Sequence, residues 1–298
     1  MKIAITGATG FVGKNLQDYL KTSHEIETMS VRYLSNQQFE IKGDVIIHLA
    51  GKAHDLKKVA YPQDYYEANY ELTKQLFNAF LISEATVFIF MSTVKAVADE
   101  VKGILSEDKI PNPQTHYGIA KHQAEEYILE QKLPQDKRVF IIRPCMIHGP
   151  GNKGNLNLLY NIVKKGIPYP LASFQNQRSF LGIDNLNFMI DAILSDKNIL
   201  SGVYNFADDD AVSTNRLVEI IAEVSGKKAH LLKIPKVLIT TGAKIGDKIK
   251  LPLNSETVKK LTENYRVSND KIKKAIGIEN LPISASEGLK KTIKSFMK

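Results

Sequence analysis

The chain has 298 residues, 43% hydrophobic and 24% charged, with one cysteine and a formal net charge of +8, enough apolar material for one large domain or two moderate ones. No apolar run approaches the roughly 20 residues of a membrane span, and the glycine-rich start "MKIAITGATGFVG" is too short in its apolar part for a secretory leader. A lone cysteine excludes an internal disulfide, so the expectation is a protein of the reducing cytoplasm without membrane insertion.

The charge is uneven. From Lys227 to Lys298 there are 17 Lys/Arg against 6 Asp/Glu, a balance that attracts nucleic acid, an anionic membrane surface or a small anionic substrate. The basic residues are spread through helical patterns such as "SETVKKLTENY" and "EGLKKTIKSFMK", with no interleaved aromatic stripe. Solvated helix faces are therefore expected, and no nucleic-acid partner. No His/Cys/Asp/Glu cluster has ligand spacing, and no metal is expected.

In chain order, "KIAIT" reads as a short apolar strand and "FVGKNLQDYLKT" as an amphipathic helix. "EIETMSV" is a second strand and "DVIIHLAG" a fully buried one. A third strand is expected only in abbreviated form, near Arg32 to Phe39. "YYEANYELTKQLFNAFLIS" is a long helix, "TVFIFMST" a buried strand, "YGIAKHQAEEYILEQK" a helix and "RVFIIRP" a further buried strand. Buried strands joined by helices predict an α/β fold with a doubly wound parallel sheet. After "HGPGNKGN" short strands ("RSFLGI", "GVYNF") mix with helices ("LNLLYNIVKKG", "TNRLVEIIAEVSG" and two more). The expected organisation is a nucleotide-binding domain over 1–150 and a smaller α+β substrate lobe over 151–298, with exchange of a strand and helix between them and the site in the cleft.

Chemistry enters at two places. In "ITGATGFVG", Gly7, Gly10 and Gly13 lie between the first strand and first helix, where glycine permits a tight turn and close approach of a pyrophosphate to a helix N-terminus. That context makes the turn, with Phe11 and Val12, a Rossmann-type dinucleotide site. Further on, Tyr117 and Lys121 are four apart on one helical face, after a strand ending in Ser92 and Thr93. A phenol whose pKa falls from about 10 toward neutrality beside an ammonium is a general acid/base, and Thr93 can steady charge on the same oxygen.

The spacing G-x-x-G-x-x-G, Thr93 and Tyr117-x-x-x-Lys121 together resemble the short-chain dehydrogenase/reductase superfamily. "DVIIHLAG", "RPCMIHGPG", the length and the second lobe resemble its extended branch, the nucleotide-sugar epimerases, dehydratases and reductases. The resemblance implies that Lys121 also contacts the nicotinamide ribose and that Thr93, rather than Ser92, assists catalysis. It further implies cofactor contacts at Leu49, Ala50 and Gly51, support from Asn69, and a nicotinamide loop through Pro144 and Met146. Asn155 and Arg178 align with positions that bind the sugar-nucleotide diphosphate. His48 is expected to be a satisfied core histidine, His148 a loop substitute for tyrosine, His116 the helix start, and Cys145 a buried strand-end residue.

Cofactor and reaction follow from single positions. The second strand runs into "TMSVRYL", with no Asp or Glu to take both ribose hydroxyls and with Arg32, whose fork matches a 2′-phosphate. NADP(H) is therefore preferred, with NAD(H) as the alternative. Family dehydratases carry Asp-Glu after the catalytic Thr; Val94 and Lys95 stand here. The expected activity is hydride transfer at C4 of a nucleotide sugar, with NADPH-dependent reduction of a UDP-4-keto-6-deoxy-N-acetylhexosamine in surface polysaccharide biosynthesis placed first. A UDP-glucose or UDP-N-acetylglucosamine 4-epimerase holding NAD is the alternative. A non-catalytic dinucleotide sensor on this scaffold is disfavoured because Tyr117 and Lys121 are both present. A homodimer is left open.

Overall fold

The computed structural model describes residues 1–53, 61–152, 154–249 and 254–297. In chain order these form β1 (Lys2–Thr6), α1 (Phe11–Leu20), β2 (Glu25–Met29), β3 (Val45–His48), α2 (Pro62–Tyr66), a π-helical turn (Glu67–Glu71) and α3 (Leu72–Ile82). There follow β4 (Val87–Met91), a 3₁₀ turn (Val94–Ala96), β5 (Ile104–Leu105), α4 (His116–Glu130), β6 (Arg138–Pro144) and β7 (Met146–His148). The rest comprises α5 (Asn155–Lys164), β8 (Phe180–Gly182), α6 (Ile183–Ser195), β9 (Gly202–Phe206), α7 (Thr214–Val224), α8 (Lys236–Ile249), α9 (Ser255–Thr262), β10 (Arg266–Val267), α10 (Asp270–Ile276) and α11 (Ala285–Ser295).

Six strands make one parallel sheet in the order β2-β1-β3-β4-β6-β9. Successive strand side chains point to opposite faces, and both faces are covered. Ile3, Ile5, Val45, Ile47, Ile89, Phe140 and Ile142 join the core shared with Leu16 of α1 and Leu186, Met189 and Ile190 of α6. Ile46, Phe88, Phe90, Val139 and Ile141 join the other, with Leu72, Leu76, Phe77 and Phe80 of α3 and Ala124 and Ile128 of α4. Each fully buried phenylalanine here contributes about 1.5–3 kcal/mol. Burial on both sides is why these strands read as unbroken apolar runs.

One feature differs from the sequence expectation, and the strand and helix expected to pass between the lobes can be identified. Residues 30–42 contain no strand, so β2 is the edge of the sheet. Val31, Tyr33, Phe39 and Ile41 do pack on the core, but a turn at Asn36, with φ of 63°, splits them into pieces too short to pair. "GVYNF" forms β9 and completes the main sheet beside β6, register Phe140 to Gly202, and α6, not singled out from the sequence, packs against α1, with Asn187 Nδ2 donating to Asn15 O at 3.4 Å. The second lobe has its own core of Tyr160, Leu171, Val218, Ile221, Leu289 and Ile293. Short parallel ladders, β7 with β8 and β5 with β10, tie the two regions together.

Candidate active site

The C-terminal ends of β1 and β3 meet at the sheet's switch point, where the chain leaves β1 in one direction and β3 in the other. Gly7 turns there with φ of 67°, a left-handed conformation that favours glycine. A Cβ on it would lie 2.7 Å from Ala50 N, and one on Gly13 would lie 2.4 Å from Gly7 O. Gly10 caps α1 with no side-chain hydrogen bond, so the N–H groups of Phe11, Val12 and Gly13 are first-turn donors left for an anion. The side chains of Phe11 and Val12 pack into the core, so a ligand meets their backbone. This tight cradle fits a dinucleotide pyrophosphate. Arg32 is exposed just beyond β2, whose end is level with that of β1 in the register Thr6 to Met29.

Leu49, Ala50 and Gly51 continue from β3 along the same crevice. A Cβ on Gly51 would lie 2.6 Å from Asn69 Oδ1 and 3.2 Å from Lys121 Nζ. Asn69, buried in the π-helical turn, donates to Lys52 O at 3.1 Å and Tyr65 O at 3.0 Å and accepts from Lys52 N at 3.1 Å. It therefore clamps the strip from beneath. His48 is the satisfied core histidine expected: Thr73 Oγ1 donates to Asn69 O, leaving His48 Nε2–H to donate to Thr73 at 3.1 Å while Nδ1 accepts from Thr6 Oγ1 at 2.7 Å. That tautomer is neutral, and burial, then the Lys121 charge, holds His48 well below the usual range.

Thr93, Tyr117 and Lys121 are brought together by one close contact between turn and helix. Buried Thr93 caps the 3₁₀ turn and accepts from Lys95 N at 3.2 Å. Gly118 lets α4 press on that turn, since a Cβ there would lie 2.5 Å from Lys95 O. Tyr117, the neighbouring residue, is near enough to Thr93 for that hydroxyl to favour the phenolate. Lys121, 3% exposed, donates from Nζ to Met91 O at 2.8 Å and lies 4.5 Å above the Phe90 ring. Burial pulls it down to about 7, with Glu125 opposing. The expected fall of the phenol toward neutrality relied on both the Lys121 ammonium and a positively charged nicotinamide; from the protein alone, burial pushes Tyr117 up to about 12, with Thr93 opposing. Lys121 is aimed at the Met91 carbonyl, so its charge does not offset that burial. Tyr117 is thus a protonated donor at neutral pH.

Ser92 points away from this group, as period-two alternation requires, and donates to Glu125. Arg143 grips the same carboxylate, Nε at 3.0 Å from Oε1 and 3.1 Å from Oε2. Glu125 and Arg143 are 1% and 5% exposed, a buried pair that anchors the Tyr117 and Lys121 face of α4 to β6 and was not singled out from the sequence. The signal was present as Tyr117, Lys121, Glu125, three positions at helical spacing on one face.

On the second-lobe side, buried Pro144 leads to Met146, 38% exposed, and Asn155 is the first residue of α5, whose Gly154 cap makes no side-chain hydrogen bond. Arg178 is held by backbone bonds with Val212 at 3.1 and 2.8 Å, and its guanidinium donates to Lys260 O. Its charge is felt at Lys95, which burial lowers below the usual lysine range, against the raising influence of Asp99 and Glu263. Lys95 Nζ donates to Asp99 O at 2.7 Å and lies 4.4 Å over the Tyr265 ring. Lys95, also missed, therefore connects Arg178 to the Thr93 turn. His148 is not a loop substitute. It ends β7 with 1% exposure, Nδ1 2.8 Å from Thr292 Oγ1, and its ring fills the space left beside Gly288. Cys145 is buried, which pushes its thiol well up.

The glycine turn after β1 and the group of Thr93, Tyr117 and Lys121 after β4 and on α4 are the two features by which the sequence resembles the extended short-chain dehydrogenase/reductases. Residues 3–207 match the NAD dependent epimerase/dehydratase family, and the chain belongs to that family. It is 31% identical to a UDP-glucose 4-epimerase of Vibrio cholerae over 99% of this chain and 95% of that one. It is 24% identical to a GDP-6-deoxy-D-mannose reductase of Pseudomonas aeruginosa over 78% of this chain and 83% of the other. Among solved structures, RMD from Pseudomonas aeruginosa complexed with NADPH superposes with a TM-score of 0.73 at 20% identity, covering 99% of this chain and 98% of that one. The protein is thus an NAD(P)-dependent enzyme of nucleotide-sugar epimerase and reductase type.

Proposed function

We infer that the protein reduces the C4 ketone of a UDP-4-keto-6-deoxy-N-acetylhexosamine with NADPH, in the making of surface polysaccharide. The observation that carries this reading is Arg32, an exposed cation beyond β2 where an NAD-binding protein would present an acid. The bound cofactor would supply a hydride to the ketone carbon. Tyr117 then gives its proton to the ketone oxygen, Thr93 donates to the same oxygen, and the phenolate recovers a proton from solvent. Arg178 and the N-terminus of α5 take the diphosphate. The single buried Cys145 suits a reducing compartment such as the cytoplasm.

Incubation with UDP-4-keto-6-deoxy-N-acetylglucosamine and NADPH should consume NADPH and yield the 4-hydroxy sugar. The second reading is a 4-epimerase holding NAD, supported by the full-length likeness to the Vibrio cholerae UDP-glucose 4-epimerase. Interconversion of UDP-glucose or UDP-N-acetylglucosamine with their 4-epimers, without net NADPH loss, would put it first.

Two substitutions separate the ends of this site. A charged hydrogen bond is worth roughly 1.5–3 kcal/mol, so NADPH should bind about ten- to a hundredfold more tightly than NADH, and Arg32→Ala should erase most of that preference. Titration of both cofactors into parent and variant measures it; equal affinities in the parent, or NAD retained through purification, overturn the NADP assignment. Arg178→Ala should weaken nucleotide-sugar binding by about tenfold or more and leave cofactor affinity unchanged. Unchanged substrate affinity by calorimetry would move the diphosphate elsewhere.

A further inference from the structure

Helix α8 carries two apolar stripes. Ile239, Ala243 and Gly246, spaced four and three apart, are its buried residues, and Ile239 and Ala243 join the second-lobe core. Leu238, Ile245 and Ile249, spaced seven and four, make another stripe roughly 100° round the helix, and they are 63%, 54% and 61% exposed. Val237 in the first turn and Leu232 just before the helix, 72% and 46% exposed, add to this surface. Single exposed aliphatics are ordinary, but a cluster on one short segment marks an interaction surface.

Its rim is basic. Lys244 and Lys248, four apart, run along the adjoining outward side of α8, and Lys233 lies just before it, all exposed. None of these three is in an ion pair among the described residues; the pairs of this part of the chain use Lys259, Lys260, Lys273, Lys290 and Lys291. The acid within α8, Asp247, is turned to α9, where it accepts from Ser255 N at 2.9 Å and Ser255 Oγ at 2.6 Å. The apolar stripe is thus edged by three cations that have no ion-pair partner among the described residues.

The geometry points to an anionic phospholipid bilayer as the occupant: α8 lies in the membrane interface, its aliphatic stripe at the acyl boundary and its lysines among acidic headgroups. Lysine stems lie along apolar surface with the ammonium in the headgroup layer, the arrangement of interfacial amphipathic helices. Charge complementarity selects this partner. A second copy docked across a two-fold axis would bring the same lysines face to face, and nucleic acid gives the Leu/Ile stripe nothing to bury against. No described helix is long and apolar enough to cross a membrane, and an interfacial α8 does not need to. This docking is independent of which reaction the site performs, and it gives Lys233, Lys244 and Lys248 of the basic stretch from Lys227 onward a role outside the active site.

The test is flotation of the full chain with phosphatidylcholine vesicles, with and without a phosphatidylglycerol fraction. The protein should float with the anionic vesicles only, and added salt should release it. Lys244→Glu with Lys248→Glu should cut the bound fraction on the order of twentyfold or more, from about fivefold per basic residue near the surface. Leu238→Ser with Ile245→Ser and Ile249→Ser should abolish binding. NADPH affinity should be unchanged in both variants, which shows them folded. Parent protein left unbound by anionic vesicles overturns the proposal, as does flotation unaltered by either set of substitutions. A dimer in sedimentation velocity that the serine variant dissociates, with no vesicle binding by the parent, would give the face to a second copy.

Discussion

Tyr117→Phe should bind NADPH as the parent does and turn over about a hundred- to ten-thousandfold more slowly, the range for a positioned acid/base. The substitution removes one oxygen and keeps the ring. The α4 contact with the Thr93 turn depends on Gly118 and Lys95 O, so it survives. In the proposed reduction, what is lost is the proton that reaches the ketone oxygen as hydride reaches the carbon. Without it the developing alkoxide has only the Thr93 hydroxyl as donor. Burial pushes the Tyr117 phenol up to about 12, so the parent's acid is loaded throughout the neutral range, and the deficit of the variant should not be rescued by moderate acid. Single-turnover measurement at saturating cofactor checks this. Near-normal turnover in the variant would remove Tyr117 from the proposed role.

The parts of this arrangement that were legible in the sequence are those where a local pattern dictates the geometry. Gly7 and Gly13 could be read because no other residue fits between β1, Ala50 and the first turn of α1. Thr93 was separable from Ser92 because a strand alternates, and the structure sends Ser92 to Glu125. The parallel sheet was legible through runs such as "TVFIFM" that are apolar on both faces.

What escaped depends on contacts distant in sequence. Glu125 and Arg143 stand 18 positions apart, and only the adjacency of α4 to β6 shows that they pair. Lys95 read as the absence of a dehydratase acid; its carbonyl and ammonium gain meaning only from Gly118 and Tyr265. His148 looked like a loop residue because Thr292, its partner, lies 144 positions away. The direction of the ammonium was not legible either, because a Tyr-x-x-x-Lys spacing fixes the face of a helix, not where the lysine points. It points at Met91 O.

Lys121→Met should make the protein inactive and, at and below neutral pH, more stable. The buried ammonium is pulled from 10.5 down to about 7 chiefly by burial, with Glu125 opposing. Between those pH values the unfolded chain holds a proton that the folded chain lacks. Stability therefore rises with pH from about 7 to about 10.5, and below about 7, where both states are protonated, the cost of burying the charge is present in full. Methionine keeps an unbranched stem in the same apolar space over Phe90 and carries no charge. The variant should lose this pH dependence, so its advantage in Tm over the parent is greatest at or below pH 7 and shrinks toward pH 10.5. Above about pH 7, where His48 is neutral in both proteins, the difference between the two curves isolates Lys121. The variant does lose the bond to Met91 O, which lowers its stability by a similar amount at every pH where the amine donates; that shifts the difference without changing its slope. A difference that is flat from pH 6 to 10 would show that the lysine is solvated or charged when folded. The same side chain would then be free to place its charge beside the phenol, and Tyr117 would titrate lower than its burial implies. The slope thus decides whether the acid at this site is kept protonated by a neutral neighbour or poised by a charged one.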